Sequence, residues 1–265
     1  MTAIAKYTWI GYTSIRSNLA YAGEIVARTT FMATVLYVFM RLWTAVYASA
    51  SAGRLGGLSL QQMIWYLMMT EAIILSAPRV SVEVDEDVRT GRIAVQLLRP
   101  MSYAVALFGK AMGERVVRFA LNILSGSIVA LILVGPISIS LRGLALFALT
   151  LPLAFTVDFL GYLIVGMCAF WLESTTGLAL LYSRLTMLLG GMLMPLEVFP
   201  VQWQPVLRAL PFATIVYGPS RIFVAPDFGL ACSIAAVQAA SVAVFAMVAA
   251  AIQKIAIKRI QSNGG

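Results

Sequence analysis

The stretch FALNILSGSIVALILVGPISI, residues 119–139, contains no charged side chain and decides the fold class. A helix of this length is about 30 Å long, which matches the hydrocarbon core of a bilayer. A membrane β-barrel would instead show alternating segments of about 10 residues, and the sequence has none. The stretch therefore predicts an all-α membrane protein.

Five other apolar segments flank this stretch, and the composition of the 265-residue chain agrees with them. Hydrophobic residues make up 61% of the chain and charged residues 11%, less than half of the roughly 25% charged residues in soluble domains. The predicted spans are residues 25–47, 60–82, 119–139, 143–170, 177–194 and 230–252. Pro152 in the fourth span predicts a kink or a break. Residues 1–265 are thus predicted to form a single transmembrane domain.

The composition also excludes several kinds of chemistry. The chain has no histidine, which rules out a histidine-based triad, a histidine metal site and an imidazole pH switch. Its two cysteines, Cys168 and Cys232, lie inside apolar runs and are too few for a metal cluster. We therefore expect no catalytic residues, no metal site and no enzyme activity in this chain.

The distribution of basic residues predicts how the chain is oriented. Residues 1–24 lack the apolar core of a secretory signal and show a partial helical stripe, which predicts an amphipathic helix on the membrane surface. If both termini are cytoplasmic, 13 Lys and Arg residues lie inside and 4 lie outside. This bias predicts cytoplasmic termini and explains the net charge of +8 without nucleic acid.

Two connections between spans are informative. The cytoplasmic one, residues 83–118, begins with acidic residues and continues with interleaved basic and apolar ones. It is either a solvated run of charges or a docking element for a cytoplasmic partner. The external one, residues 195–228, holds six of the ten prolines, so it should form short pieces. We expect a re-entrant hairpin there, with Trp203 and Tyr217 at the membrane interface.

Both connections carry a family resemblance. The cytoplasmic one contains a spaced set of residues: Glu86, Gly91, Leu97, Leu98, Arg99, Pro100, Gly109 and Lys110. This set resembles the loop of the type-2 ABC exporter permeases, in which an acidic residue, a glycine, Leu-Leu-x-Pro and Gly-Lys precede the next span. The external tract resembles the segment between spans five and six of that family, through Gly191, Pro195, Pro200 and Pro211.

The resemblance implies a membrane subunit of an ATP-driven exporter in the bacterial plasma membrane. By this likeness the chain pairs with a second six-span permease, identical or related, and with two soluble ATPase subunits that hold ATP and Mg²⁺. This sequence has no G-x-x-x-x-G-K-[ST] phosphate-binding motif of its own. The expected cargo is amphiphilic or hydrophobic. The alternative is an ion-coupled secondary transporter without an ATPase partner.

The same resemblance implies that two segments couple this chain to the ATPase. These segments are the surface helix and part of the cytoplasmic connection. The coupling residues expected there are Glu86, Asp87, Gly91, Arg92, Leu97, Leu98 and Pro100. Many family members have Thr and an acidic residue where this chain has Arg92 and Ile93. This departure indicates a divergent branch.

Charged residues inside the predicted spans need a reason, because a charge in hydrocarbon is costly. Four such residues lie away from the span ends: Arg41, Glu71, Asp158 and Arg184. They either line a substrate path between two permeases or form structural pairs, Glu71 with Arg41 and Asp158 with Arg184.

Overall fold

The computed structural model describes residues 22–49, 53–97 and 102–263, with the side chains of 22–26, 28, 97 and 257–263 left out. These residues form α-helices and two short 3-10 helices, Cys168–Phe170 and Leu196–Val198, and no strand. The α-helices are α1 Ala22–Ser49, α2 Leu60–Leu75, α3 Val80–Arg89, α4 Arg92–Leu97, α5 Tyr103–Val134, α6 Leu141–Met167, α7 Thr176–Leu189, α8 Gln204–Ala209, α9 Pro211–Ile215, α10 Tyr217–Val224 and α11 Phe228–Asn263.

Four of the described helical segments are long and apolar enough to cross a membrane, which makes this a multi-pass membrane protein. They are Thr29–Ser49, Tyr103–Val134, Leu141–Phe170 and Phe228–Ala256. The helices α2 and α7 have 16 and 14 residues, so they are only about 24 and 21 Å long. The crossings by α2 and α7, and with them the count of six spans, therefore stay predictions.

The second predicted span, residues 60–82, is too long at its carboxyl end. The helix α2 ends at Leu75, and a separate helix, α3, begins at Val80. The break has a local cause in Pro78, which lacks a backbone N–H and disfavours helical geometry at the residue before it.

The described part of the predicted connection 83–118 is mostly helical, and the third span is longer than predicted. The helix α5 begins at Tyr103, 16 positions before the predicted start of the third span, and ends at Val134. Charged residues in its first half made this part look like a loop, but they pair with neighbouring helices or within α5, as in the Lys110–Glu83 and Arg115–Asp158 ion pairs. Polar positions therefore do not interrupt the helix.

The helix α2 lies at the centre of the bundle. All eleven of its residues from Met63 to Ile73 are buried, and α1, α5 and α10 pack around it. The helices α6 and α11 form the most extensive helix pair of the fold. Pro152 does not break α6, which continues to Met167.

The external connection folds back onto α2 as short helices. The predicted short pieces are present as α8, α9 and α10. Trp203 is exposed, but the expected interfacial position of Tyr217 is wrong, because Tyr217 is 1% exposed in the core. Its hydroxyl donates a hydrogen bond to Glu197 over 2.6 Å, and burial of the ring alongside that bond explains the inward position.

Candidate functional site

The helices α3 and α4 form a tight helical hairpin after the central helix α2. The chain turns between them at Gly91, whose φ of +70° lies in the left-handed region that side chains with a Cβ disfavour. Nothing lies within 4 Å of the place where a Cβ would be. The backbone angle, rather than crowding, therefore favours glycine at this turn.

Asp87 holds this hairpin together. Its carboxylate is buried and accepts hydrogen bonds of 3.0 Å from the Nε of Arg92, the Nε2 of Gln96 and the hydroxyl of Tyr103. These donors come from α4 and from the first residue of α5. A buried carboxylate requires hydrogen-bond donors, so Asp87 fixes α3, α4 and α5 together.

Arg92 joins this carboxylate to a second one. Its guanidinium lies 2.9 Å from Glu86 and 3.0 Å from Asp87. Desolvation lowers the pKa of Arg92, but the two carboxylates raise it, and the net pKa is above its ordinary value. Arg92 therefore stays charged and half-exposed on the surface of the hairpin.

The helix α3 contacts α5, α6 and the residue before α7, in each case near one end of the helix. Asp87 binds Tyr103 at the start of α5. Asp85 accepts hydrogen bonds from the backbone N–H and the hydroxyl of Thr175, the residue before α7. On α6, a Cβ at Gly166 would lie 2.7 Å from Val84 on α3. The helix α3 thus contacts α5, α6 and the residue before α7 directly.

An open cavity of about 830 Å³ lies beside the hairpin. Charged side chains of both signs dominate its lining, which consists of Arg79, Val82, Glu83, Glu86, Asp87, Arg92, Gln96, Lys110, Glu114 and Arg118. Lys110 bridges to Glu83 from α5 to α3, and Arg118 pairs with Glu114. The acidic start of the predicted loop is therefore a paired, folded surface rather than a free run of charges.

The coupling residues predicted from the sequence separate into two groups. Glu86, Asp87, Gly91 and Arg92 come together in the α3–α4 hairpin. Leu97 is the last residue of α4, and its side chain lies outside the described part. Leu98 and Pro100 also lie outside the described residues, as does the surface helix expected within residues 1–24 apart from its final residues.

The structure changes the pairing predicted for the charges in the spans. Asp158 on α6 lies 2.7 Å from Arg115 on α5, whereas Arg184, the predicted partner, is exposed. Arg41 is exposed on α1 and Glu71 is buried in α2, and these two described residues form no ion pair. Both predicted pairs are therefore wrong.

Arg115 is the site residue that sequence reasoning missed. It was counted among the cytoplasmic basic residues, but it is 1% exposed within α5. Its partner lies 43 positions further along the chain, so no local pattern links the two. The available signal was Asp158 itself, because a carboxylate in an apolar span requires a partner.

Comparison with known protein families identifies the family of this chain. The sequence pattern described as ABC-2 family transporter protein matches residues 31–264. The chain belongs to the ABC-2 transporter family. This membership makes it an ABC exporter permease, a membrane subunit rather than a catalytic ATPase, of a type that works with ATP-binding subunits. No curated protein shows a significant match to this ABC-2 permease.

Proposed function

We propose that this permease moves an amphiphilic or hydrophobic substrate across or out of the membrane, with energy from two separate ATP-binding subunits. The observation that carries the proposal is the α3–α4 hairpin. It is rigid around Asp87 and contacts the ends of α5, α6 and α7. Such an element passes a movement of a docked subunit to the membrane helices.

The docking surface that we propose is the outer face of this hairpin. Val82 on α3 and Val95 on α4 are 54% and 62% exposed, and Arg89 and Arg92 lie between them in the sequence and are also exposed. Apolar side chains beside arginines are typical of the well-packed centre of protein interfaces. We assign this face to an ATP-binding subunit, which would supply the ATP and Mg²⁺.

The topology that we propose has six crossings, with both termini in the cytoplasm of a bacterial cell. The helices α2 and α7 would complete the crossings by lying within the bundle rather than against lipid along their full length. The helices α8 to α10 would form the re-entrant external segment. Exposed apolar side chains on α1 and α5, such as Val38 and Ile132, would face lipid or a second permease.

We propose different roles for the paired and the unpaired charges of the predicted spans. Arg115 and Asp158 pair with each other between α5 and α6, so neither is a free charge in a substrate path. Arg41, Glu71 and Arg184 remain proposals for the lining of such a path. The family does not favour the alternative of an ion-coupled secondary transporter.

Purification of the tagged chain from its native membrane in a mild detergent tests the ATPase partner. We expect an ATP-binding subunit to co-purify, and Val95→Asp to reduce the amount by about tenfold, since a charge at the centre of an interface is strongly unfavourable. Val201→Asp is the matched control, because Val201 is 81% exposed in the external connection. Equal recovery with both variants would refute docking at the hairpin.

A further inference from the structure

A cluster of polar side chains lies within the apolar interior where α5, α6 and α7 meet. Arg115 of α5 and Asp158 of α6 are 1% and 3% exposed, and the guanidinium also lies over the ring of Phe155 at 4.1 Å. Tyr182 and Thr186 of α7 are buried beside them. All three helices therefore contribute polar groups to one buried point.

These groups have more hydrogen-bonding capacity than their neighbours satisfy. The contact between Arg115 and Asp158 is short, at 2.7 Å, but it is poorly aligned. Within the described chain, well-formed hydrogen bonds are lacking for Arg115 Nε and Nη2 and for Asp158 Oδ1. The Nη1 of Arg115 contacts Asp158, and the hydroxyl of Tyr182 lies beside Asp158 and Thr186. Burying such groups without partners is costly, so a bound polar molecule is favoured here.

A small cavity adjoins the unsatisfied groups. Its volume is about 20 Å³, and its lining includes Arg115, Asp158, Thr186, Tyr162 and Ser183. A cavity of this size accommodates one water molecule, and its polar groups supply the two to four partners that a buried water needs. The opposite charges of Arg115 and Asp158 cancel, so a neutral occupant is favoured over an ion.

The same three helices are the ones that α3 contacts. Tyr103, Gly166 and Thr175 mark the contacts with α3. Measured from these residues along α5, α6 and α7, the cluster lies about 18, 12 and 16 Å away, respectively. The cluster therefore lies three or so helical turns away from the coupling hairpin on all three helices. A shift of α3 reaches this point along three separate rigid elements.

We propose that Arg115, Asp158, Tyr182 and Thr186 form a hydrated polar joint, which holds one water molecule in this conformation and admits more water when α5, α6 and α7 separate. One water cannot satisfy all the polar atoms of this cluster, so a more open and wetter arrangement gains hydrogen bonds while it loses apolar contacts. The joint thus supports two arrangements of the helices. The part of this proposal in which α3 drives the separation rests on the proposed function. The hydration of the joint is independent of that function.

Thiol accessibility in the full chain, reconstituted in lipid nanodiscs, tests the joint. Cys168→Ala and Cys232→Ala first remove both native thiols. Thr186→Cys then places a thiol in the joint, and Leu163→Cys places one at a buried, apolar position of α6 that is 1% exposed. The probe is a small, charged methanethiosulfonate, which reacts with thiolates in water.

We expect the Thr186→Cys thiol to react about tenfold faster than the Leu163→Cys thiol, because water reaches the joint during local opening but does not reach the apolar site. The pair of substitutions Arg115→Met and Asp158→Leu should abolish this difference. Equal rates for the two thiols would overturn the proposal. The assay contains neither ATPase nor substrate, so a negative result would not count against the proposed function. Likewise, a failure to recover the ATPase partner in the purification experiment would not count against the joint.

Thermal unfolding of the Arg115→Met, Asp158→Leu variant supplies the second test. Replacing a buried, poorly satisfied ion pair with apolar residues should leave Tm unchanged or raise it by about 2–4 °C. The variant removes polar groups that the closed arrangement leaves unsatisfied, so it should not be less stable than the native chain. Any fall in Tm would therefore overturn the proposal.

Discussion

At the scale of single residues, close packing in the bundle depends on positions without a side chain. The hydroxyl of Tyr182 on α7 occupies the place where a residue at 161 on α6 would carry its Cβ. This contact sets how near α7 lies to the Arg115–Asp158 pair. Gly161 was not singled out by the sequence, because its partner on α7 is distant along the chain.

Gly161→Ala should lower the free energy of unfolding by about 1–3 kcal/mol, because the added methyl group overlaps a rigid, buried ring. Denaturant unfolding in detergent, followed by tryptophan fluorescence, measures this change. Gly177→Ala on α7 is the control, since nothing lies within 4 Å of its Cβ position. It should be neutral or stabilising by up to about 1 kcal/mol. Equal effects at both sites would contradict the packing described.

Asp87→Ala should destabilise the α3–α4 hairpin, because it leaves three donors without their buried acceptor. The expected cost is about 2–3 kcal/mol, seen as faster amide hydrogen exchange confined to α3, α4 and the start of α5. Glu86→Ala is the control, since the Glu86 side chain is 61% exposed, and such surface pairs contribute about 0–1 kcal/mol. Exchange that is unchanged by Asp87→Ala would show that this carboxylate does not organise the hairpin.

At the scale of helices, one glutamine connects the most extensively packed pair to a third element. Gln238 on α11 donates hydrogen bonds to the carbonyl oxygens of Thr150 on α6 and Thr214 on α9, at 3.1 and 2.9 Å. It is completely buried. The external connection is therefore fastened to α6 and α11 from within the bundle.

Gln238→Leu should lower the free energy of unfolding by about 1–3 kcal/mol, since it removes both hydrogen bonds from a buried site. Limited proteolysis of the external connection gives a local readout, and we expect cleavage between residues 195 and 228 to become faster. Gln253→Leu, at a half-buried position of the same helix, should leave the cleavage rate unchanged. Resistance to cleavage in both variants would remove Gln238 from this role.

The helices also show which predictions a sequence supports. Long uninterrupted apolar runs predicted α1, α6 and α11 to within a few residues at most ends, because hydrophobic length alone defines them. The start of α5 was missed since its charged side chains are satisfied by tertiary partners such as Glu83 and Asp158. The α3–α4 hairpin was located through its motif, but the role of Asp87 as its buried acceptor depends on distances that no spacing reveals.

At the scale of the whole molecule, the proposed orientation places Val95 in the cytoplasm and Arg142 outside the cell. Val95→Cys and Arg142→Cys, each in the chain without native cysteines, report the side of the membrane through a maleimide that cannot cross it. Intact cells should be labelled only with Arg142→Cys, and inverted vesicles only with Val95→Cys, as the bias of basic residues predicts. Labelling on the same side by both variants would refute the six-span topology.

The measurement that tests the account most directly is photo-crosslinking from Val95 in native membranes. A photoreactive amino acid at this exposed position of α4 should form a covalent adduct with an ATP-binding subunit, and the same group at Ile132, 78% exposed on α5, should not. If the Val95 position yields no such adduct, or if both positions yield it equally, the hairpin is not the place where an ATPase moves this permease.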